Sequence, residues 1–257
     1  FLCQIILLYY IMKKEKVISL LIGRQGSKGC PGKNTTEILG NPLMYYPIKA
    51  SKDSKYIDHH YVSTDSKDIK SIAIKNNCTV LDRPDSLCTD QALAEDVFTH
   101  NYNYFIEVEK YDIEFLVILM CNAYGITGET IDKGIDILRA DPNLDSAVTV
   151  SRYNMFSPIR ARKINESGLL DPFVPFENIG NPKDFNCDRD SQGDVWFADM
   201  GVSIVRPRCI EKMHEGLLPQ VWMGKNIYPL KQEAGLDLDY DWQFGQAEWW
   251  INNNIGE

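Results

Sequence analysis

The chain has no cysteine pair at CxxC spacing, no histidines at metal-ligand spacing, and no internal repeat or low-complexity tract. Its seven cysteines are odd in number and scattered. That pattern belongs to free thiols in a reducing cytoplasm, not to a disulfide framework. Cationic residues are in deficit, with 27 Lys and Arg against 36 Asp and Glu and a formal charge of −9. Such a surface does not hold a polyanion, so nucleic acid is excluded as a partner and any anion site must be basic only locally. No Walker A sequence GxxxxGK[ST] occurs, and no Ser–His–Asp or Cys–His arrangement is recognisable. His59 and His60 flank a strand and read as packing or surface residues. Phe1 to Ile11 is apolar but too short to span a bilayer, and it lacks a basic n-region and a cleavage pattern. Met12-Lys13-Lys14 resembles a natural start, so residues 1–11 are read as a fragment end or a misassigned extension, and no membrane partner is expected.

The most informative segment present is Gly23-Arg24-Gln25-Gly26-Ser27-Lys28-Gly29-Cys30-Pro31-Gly32-Lys33-Asn34, directly after the apolar run Val17–Ile22. A buried strand therefore enters a loop dense in glycine and cation. Glycines let backbone N–H groups approach an anion closely. Arg24, Lys28 and Lys33 add fixed positive charge, a combination that suits a triphosphate.

With 257 residues the chain is long enough for one α/β unit with a sizeable core. Strands are expected at Val17–Ile22, His60–Ser63, Cys78–Leu81, Phe115–Met120, Asp145–Ser151, Gly201–Val205 and Ile227–Leu230. Helices are expected from Pro42 to Lys52, from a Ser66 cap to about Asn77, from Leu93 to Tyr104, from Thr127 to Ala140, and from Asp241 to Asn253. The continuous apolar run Phe115–Met120 is that of a central parallel strand. The alternation predicts an α/β fold, a mostly parallel sheet with helices on both faces. From about Arg152 to Asp194 the rhythm breaks, with Pro158, Pro172, Pro175 and Pro182 among polar and aromatic residues. A structureless loop of that length is uncommon, so this is an insertion with its own small strands, a lid or a dimer arm. Residues 12–257 otherwise read as one domain.

Ligands of open parallel sheets bind beyond the carboxyl ends of the strands. That directs attention to residues 23–34, 63–65, 82–90, 121–127 and 235–241. In Asp237-Leu238-Asp239 an extended backbone turns both carboxylates to one side, where they can hold a hard cation such as Mg²⁺. The alternative for this pair is two solvated carboxylates at a strand end.

From about Lys16 to Ile251 the chain resembles the CMP-sugar synthetases, which activate sialic and related acid sugars. The resemblance rests on Gly23–Gly29 with Pro31-Gly32-Lys33-Asn34, on Val62-Ser63-Thr64-Asp65, on Arg83-Pro84 and Leu87–Asp96, and on Asp237-Leu238-Asp239 through Ala247-Glu248, in the family's order. It implies a Rossmann-like nucleotidyltransferase in which an acid sugar's hydroxyl attacks the α-phosphate of CTP and releases pyrophosphate. It also implies Mg²⁺ on Asp237 and Asp239, a homodimer and a cytoplasmic location. Arg24, Ser27 and Lys28 match phosphate-binding positions. Lys33 and Asn34 match nucleotide contacts, with Asn34 near cytosine, and Gly23 and Arg83 lie beside the nucleotide. Arg24, Lys28, Asp237 and Asp239 are thereby the residues expected to carry catalysis.

Two segments depart from the family. Met120-Cys121-Asn122-Ala123-Tyr124 stands where many members have Gln-Pro-Thr-Ser-Pro, and Asp199-Met200-Gly201 stands for Asn-Gly-Ala. Both lie where the sugar is expected, which points to retained CTP chemistry with an altered acceptor. Asn122 either replaces the missing amide as a substrate contact or caps the turn. Arg160, Arg162, Lys163 and Arg189 either meet a carboxylate or form a solvated face. The competing reading of the whole is a non-catalytic nucleotide-binding protein on the same scaffold. A DxD glycosyltransferase is a third, although there the motif usually follows a middle strand. Met155, Phe156, Phe173, Val174 and Phe176 make the 152–194 segment a dimerisation arm on this reading.

Overall fold

The computed structural model describes residues 15–26, 29–89, 91–189, 191–233, 235 and 237–254. The sheet is built from β1 (Lys16–Ile22), β4 (His59–Thr64), β5 (Thr79–Asp82), β6 (Ile113–Met120), β7 (Ser146–Arg152), β10 (Trp196–Val205) and β11 (Ile227–Gln232). Two short strands, β2 (Glu37–Ile38) and β3 (Asn41–Pro42), pair with each other, as do β8 (Arg162–Ile164) and β9 (Leu170–Pro172). The main sheet runs in the order β11-β7-β10-β6-β1-β4-β5. β10 is antiparallel to both of its neighbours, while the β1–β4, β1–β6, β4–β5 and β7–β11 pairs are parallel. The run 113–120 is central, as its unbroken apolar character requires.

The helices are α1 (Tyr45–Asp53), α2 (Lys67–Lys75), α3 (Ala94–Glu107), α4 (Gly128–Ala140), α5 (Pro207–Glu211) and α6 (Phe244–Asn254). Alternate residues of each strand point to opposite faces. On one face Leu21, Val62, Val117 and Leu119 pack against Ile48, Ile69, Ile131 and Ile135 of α1, α2 and α4. On the other, Leu20, Tyr61, Leu116 and Ile118 pack against Phe98 and Phe105 of α3 and Ile210 of α5. Helix α4 starts at a Thr127 cap and α2 at a Ser66 cap, each side chain accepting from the backbone N–H three residues on. The helix expected from Pro42 begins instead at Tyr45. Pro42 is held in the β2–β3 ladder opposite Glu37, and the intervening turn postpones the helix.

Beneath α1, Ser51 Oγ lies 2.7 Å from both Ser19 Oγ and His60 Nδ1. Burial, with the charge of Lys52 nearby, lowers the His60 pKa from 6.5 to about 4. In that window the unfolded chain takes up a proton that the folded chain refuses. His60's contribution to stability is therefore complete above pH 6.5 and is lost as pH falls toward about 4. The melting temperature should fall across this range, and His60→Gln should flatten the fall. An equal slope in the variant would assign the acid sensitivity to other groups.

Candidate active site

The carboxyl ends of β1, β4 and β6 are stitched into one rim. Gly23 N donates to Ser63 O at 3.3 Å, Cys121 N to Ile22 O at 3.0 Å and Arg83 N to Thr64 O at 3.3 Å. The glycine-rich loop rises from this rim. Gln25 N donates to Asp65 Oδ1 at 2.8 Å, so the residue that ends the VSTD segment anchors the loop. Arg24 is half-buried, and its Nη1 donates to Thr89 O at 3.4 Å. Ser27 and Lys28 lie outside the described residues. Gly29 passes so close to the C-terminal segment that a Cβ there would sit 2.6 Å from Asp239 O.

A 3₁₀ turn over Lys33–Thr35 buries Lys33 and Asn34. A cleft of about 260 Å³ is lined by Gly23, Arg24, Lys33, Asn34, Arg83 and Asn122, with apolar walls from Leu93, Val97 and Met120. An adjoining groove of about 280 Å³ shares Arg24, Lys33 and Asn34 with it and runs over Gly26, Gly32 and Ser66. Arg83 is buried. Its Nη2 donates to Ser63 O at 2.9 Å, and desolvation lowers its pKa. Among the described residues, Asn34 Oδ1 and Arg83 Nε are buried polar atoms without a hydrogen-bond partner.

The paired aspartates arrive from the end of the chain. Asp237 bridges to Ala123, and the wholly buried Leu238 donates its N–H to Asn122 O at 2.9 Å. Asn122 Nδ2 reaches Leu238 O at 3.2 Å, Asp239 Oδ1 at 3.4 Å and Asp237 Oδ2 at 3.5 Å. The side-chain amide is thus directed at the aspartate pair; it holds the two carboxylates on one side of the segment, where the DxD spacing predicts them. Lys33 Nζ is paired with Asp239. Burial, then the charge of Asp239, raises the Asp237 pKa, and Lys33 opposes this. Among the described residues no group of three or more His, Cys, Asp or Glu is placed to share a metal, so these carboxylates form a two-ligand pair.

Sequence reasoning missed several supports of this site. Gln243 Oε1 accepts from Asp239 N at 2.7 Å and Tyr240 N at 2.8 Å, fixing the turn after the pair. Cys30 Sγ donates to Asp241 Oδ1 at 2.9 Å and ties the glycine-rich loop to the same turn. Burial pushes that thiol up to about 11, so it is a structural group and not a nucleophile. The Ser66–Lys67 start of α2, seen in the sequence only as a cap, forms part of the groove wall. The four cations singled out in the 152–194 segment do not line the cleft; of them, Arg189 lines a separate depression with Arg152, Tyr153, Asn154 and Asp194.

Residues 18–111 match the Cytidylyltransferase family. The N-acylneuraminate cytidylyltransferase of Escherichia coli O18:K1:H7 is 31% identical over 98 residues, which is 38% of this chain and 23% of that protein. The CMP-N,N'-diacetyllegionaminic acid synthase of Legionella pneumophila is 29% identical over 158 residues, 60% of this chain and 66% of that one. The match spans less than two thirds of either relative's length. Among solved structures, CMP:2-keto-3-deoxy-manno-octonic acid synthetase complexed with CTP aligns with a TM-score of 0.65 at 13% identity, covering 93% of this chain and 99% of that one. The Rossmann-like nucleotidyltransferase fold expected from the sequence is borne out, and so is the resemblance to the CMP-sugar synthetases.

Proposed function

We propose that this chain is a cytidylyltransferase that moves CMP from CTP to the hydroxyl of an acidic sugar of the sialic acid type. The carrying observation is the pair of unpartnered polar atoms in the cleft, Asn34 Oδ1 as acceptor and Arg83 Nε as donor. Leaving such groups buried and unsatisfied costs about 1–3 kcal/mol each. Cytosine offers an exocyclic amino donor and a ring carbonyl acceptor, and its flat ring suits the Leu93 and Met120 walls. The glycine-rich loop, with Gly23, Arg24, Ser27 and Lys28, then receives the phosphates, and Lys33 stands between them and Asp239.

The acceptor oxygen forms a bond to the α-phosphorus as the α–β bridging P–O bond breaks, and pyrophosphate departs with its electrons. Such a transfer depends on positioning and charge neutralisation. Asp237 and Asp239 would hold Mg²⁺. The fit rests on an all-oxygen donor pair, on the raised Asp237 pKa that a divalent charge relieves, and on a lysine already attracted to the same spot. The bound ion supplies neutralisation of the phosphate charge. Because the Asn122 amide is engaged with the aspartates, this reading assigns it to holding the pair and leaves the acceptor to other groups. The six described cysteines are free thiols, which supports a cytoplasmic location. Among the described residues no helix is long and apolar enough to cross a membrane. A pyrophosphate-release assay with each nucleoside triphosphate and a panel of acid sugars tests the proposal. Release is expected with CTP and an acid sugar together, and none with any pair would leave a binding protein.

In this reading residues 12–257 form one catalytic unit, and 152–194 is its dimerisation arm. Phe156, Ile164, Leu170 and Phe173 there are 63%, 75%, 70% and 60% exposed. Each large apolar side chain gains about 1.5–3 kcal/mol on full burial, and a two-fold contact is the commonest way to obtain it. Light scattering at micromolar concentration should report a dimer. Replacing residues 160–190 with a short Gly-Ser linker should give a monomer that binds CTP without turning over the acceptor. A monomeric wild type, or a fully active linker variant, would remove the arm from the site.

A further inference from the structure

The buried carboxylate of Asp199 is outside the cleft, and nothing in the reaction uses it directly. It sits in β10 where the ladder with β7 changes register between Ala198 and Ser203, and Met200 beside it takes a left-handed φ of 58°. This bulge brings Asp199, 8% exposed, under the carboxyl ends of β7 and β11. Its oxygens are filled from within the protein. Oδ1 accepts from Thr149 Oγ1 at 2.6 Å and Gly201 N at 3.1 Å. Oδ2 accepts from Ser151 Oγ at 2.6 Å and Gln232 Nε2 at 2.8 Å. A carboxylate this buried is tolerated because its lone pairs are satisfied, and those same bonds leave it no capacity for a sugar. The departure from Asn-Gly-Ala at Asp199-Met200-Gly201 is therefore not a substrate contact by this carboxylate.

The network continues toward the aspartate pair. Ser151 Oγ, while donating to Asp199, accepts from Gly235 N, and Tyr153 Oη donates to Gly235 O at 2.8 Å. A Cβ on Gly235 would lie 1.9 Å from Asp199 Cγ, so only glycine can seat there. Two residues further on is Asp237. We infer that Asp199 is a positioning residue: through Ser151 and Gly235 it sets where the Asp237–Asp239 pair stands and so how well that pair takes a divalent cation with the nucleotide. This rests on the proposed reading of the pair as the metal site. The cleft side chains Asn34 and Arg83 lie on segments next to β1, β4 and β5, so the effect should spare nucleotide binding that needs no metal.

The test compares calorimetric binding of Mn²⁺·CTP with that of CTP in EDTA. The wild type should prefer the manganese complex. Asp199→Ala should reduce that preference about 10–100-fold, the usual loss when a group supporting a metal ligand is removed. Ser151→Ala, which deletes only the atom between Asp199 and Gly235, should do the same with CTP in EDTA bound as in the wild type. It carries the test if Asp199→Ala does not fold. A wild type without preference for Mn²⁺·CTP would defeat the metal reading itself. A wild type with the preference and a Ser151→Ala that retains it in full would defeat the positioning role alone. Equal weakening of both forms of CTP would also overturn it, since that marks general damage to the fold.

Discussion

Asp237→Asn and Asp239→Asn should each lose about 10³ in metal-dependent turnover, the several kcal/mol that a cation on developing phosphate charge supplies. The two variants should differ in stability. Burial and the neighbouring Asp239 raise the Asp237 pKa, so its ionised form costs the folded state free energy at neutral pH. For a carboxyl with a raised folded pKa, stability falls as pH rises through that pKa, so the uncharged Asp237→Asn variant should melt no lower than wild type. Asp239→Asn instead loses the ion pair with Lys33 and should melt slightly lower. Steady-state rates over a Mg²⁺ titration, with melting curves on the same samples, check both statements. Unchanged rates in both variants would return the pair to ordinary solvated carboxylates.

Arg24→Ala and Lys28→Ala should each reduce kcat by about 10²–10³, the loss typical of one preorganised donor to transition-state charge. Arg24 is shared by the base cleft and the adjoining groove, so its loss should also raise KM for CTP. Lys28, placed by sequence in the middle of the glycine-rich loop, should act mainly on kcat. Neither change should move the melting temperature by more than a few degrees, because partly exposed cations contribute little to folding. Stopped assays with saturating acid sugar and varied CTP separate the two constants. Near-wild-type kinetics in either variant would reassign the loop.

Much of this architecture could be read locally. A strand buried on both faces must be apolar along its length, and the run Phe115–Met120 declared itself central for that reason. Thr127 and Ser66 announced helix starts because a short side-chain oxygen can accept from the first turn. The spacing of Asp237 and Asp239 placed both carboxylates on one side because extended backbone repeats every two residues. Glycine and cation after a first strand marked the loop that lines the groove.

What the sequence by itself determined was therefore everything that follows from neighbours along the chain: which segments are strands or helices, which faces are apolar, and which loops carry anion- or cation-seeking groups. The tertiary structure decided what those groups meet. The reversal of β10 within a parallel sheet depends on the path of the 153–195 connection, which carries no local signal of direction. Asn122 could as well have capped its own turn, and only the arrival of residues 237–239 from the far end of the chain turned its amide toward the aspartates. Asp199 read as a substrate-side substitution until a bulge placed it among Thr149 and Ser151 of β7 and Gln232 of β11. Hydrogen bonds between residues tens to hundreds of positions apart depend on the sum of many strand registers and turn angles, and no single stretch of sequence carries that sum.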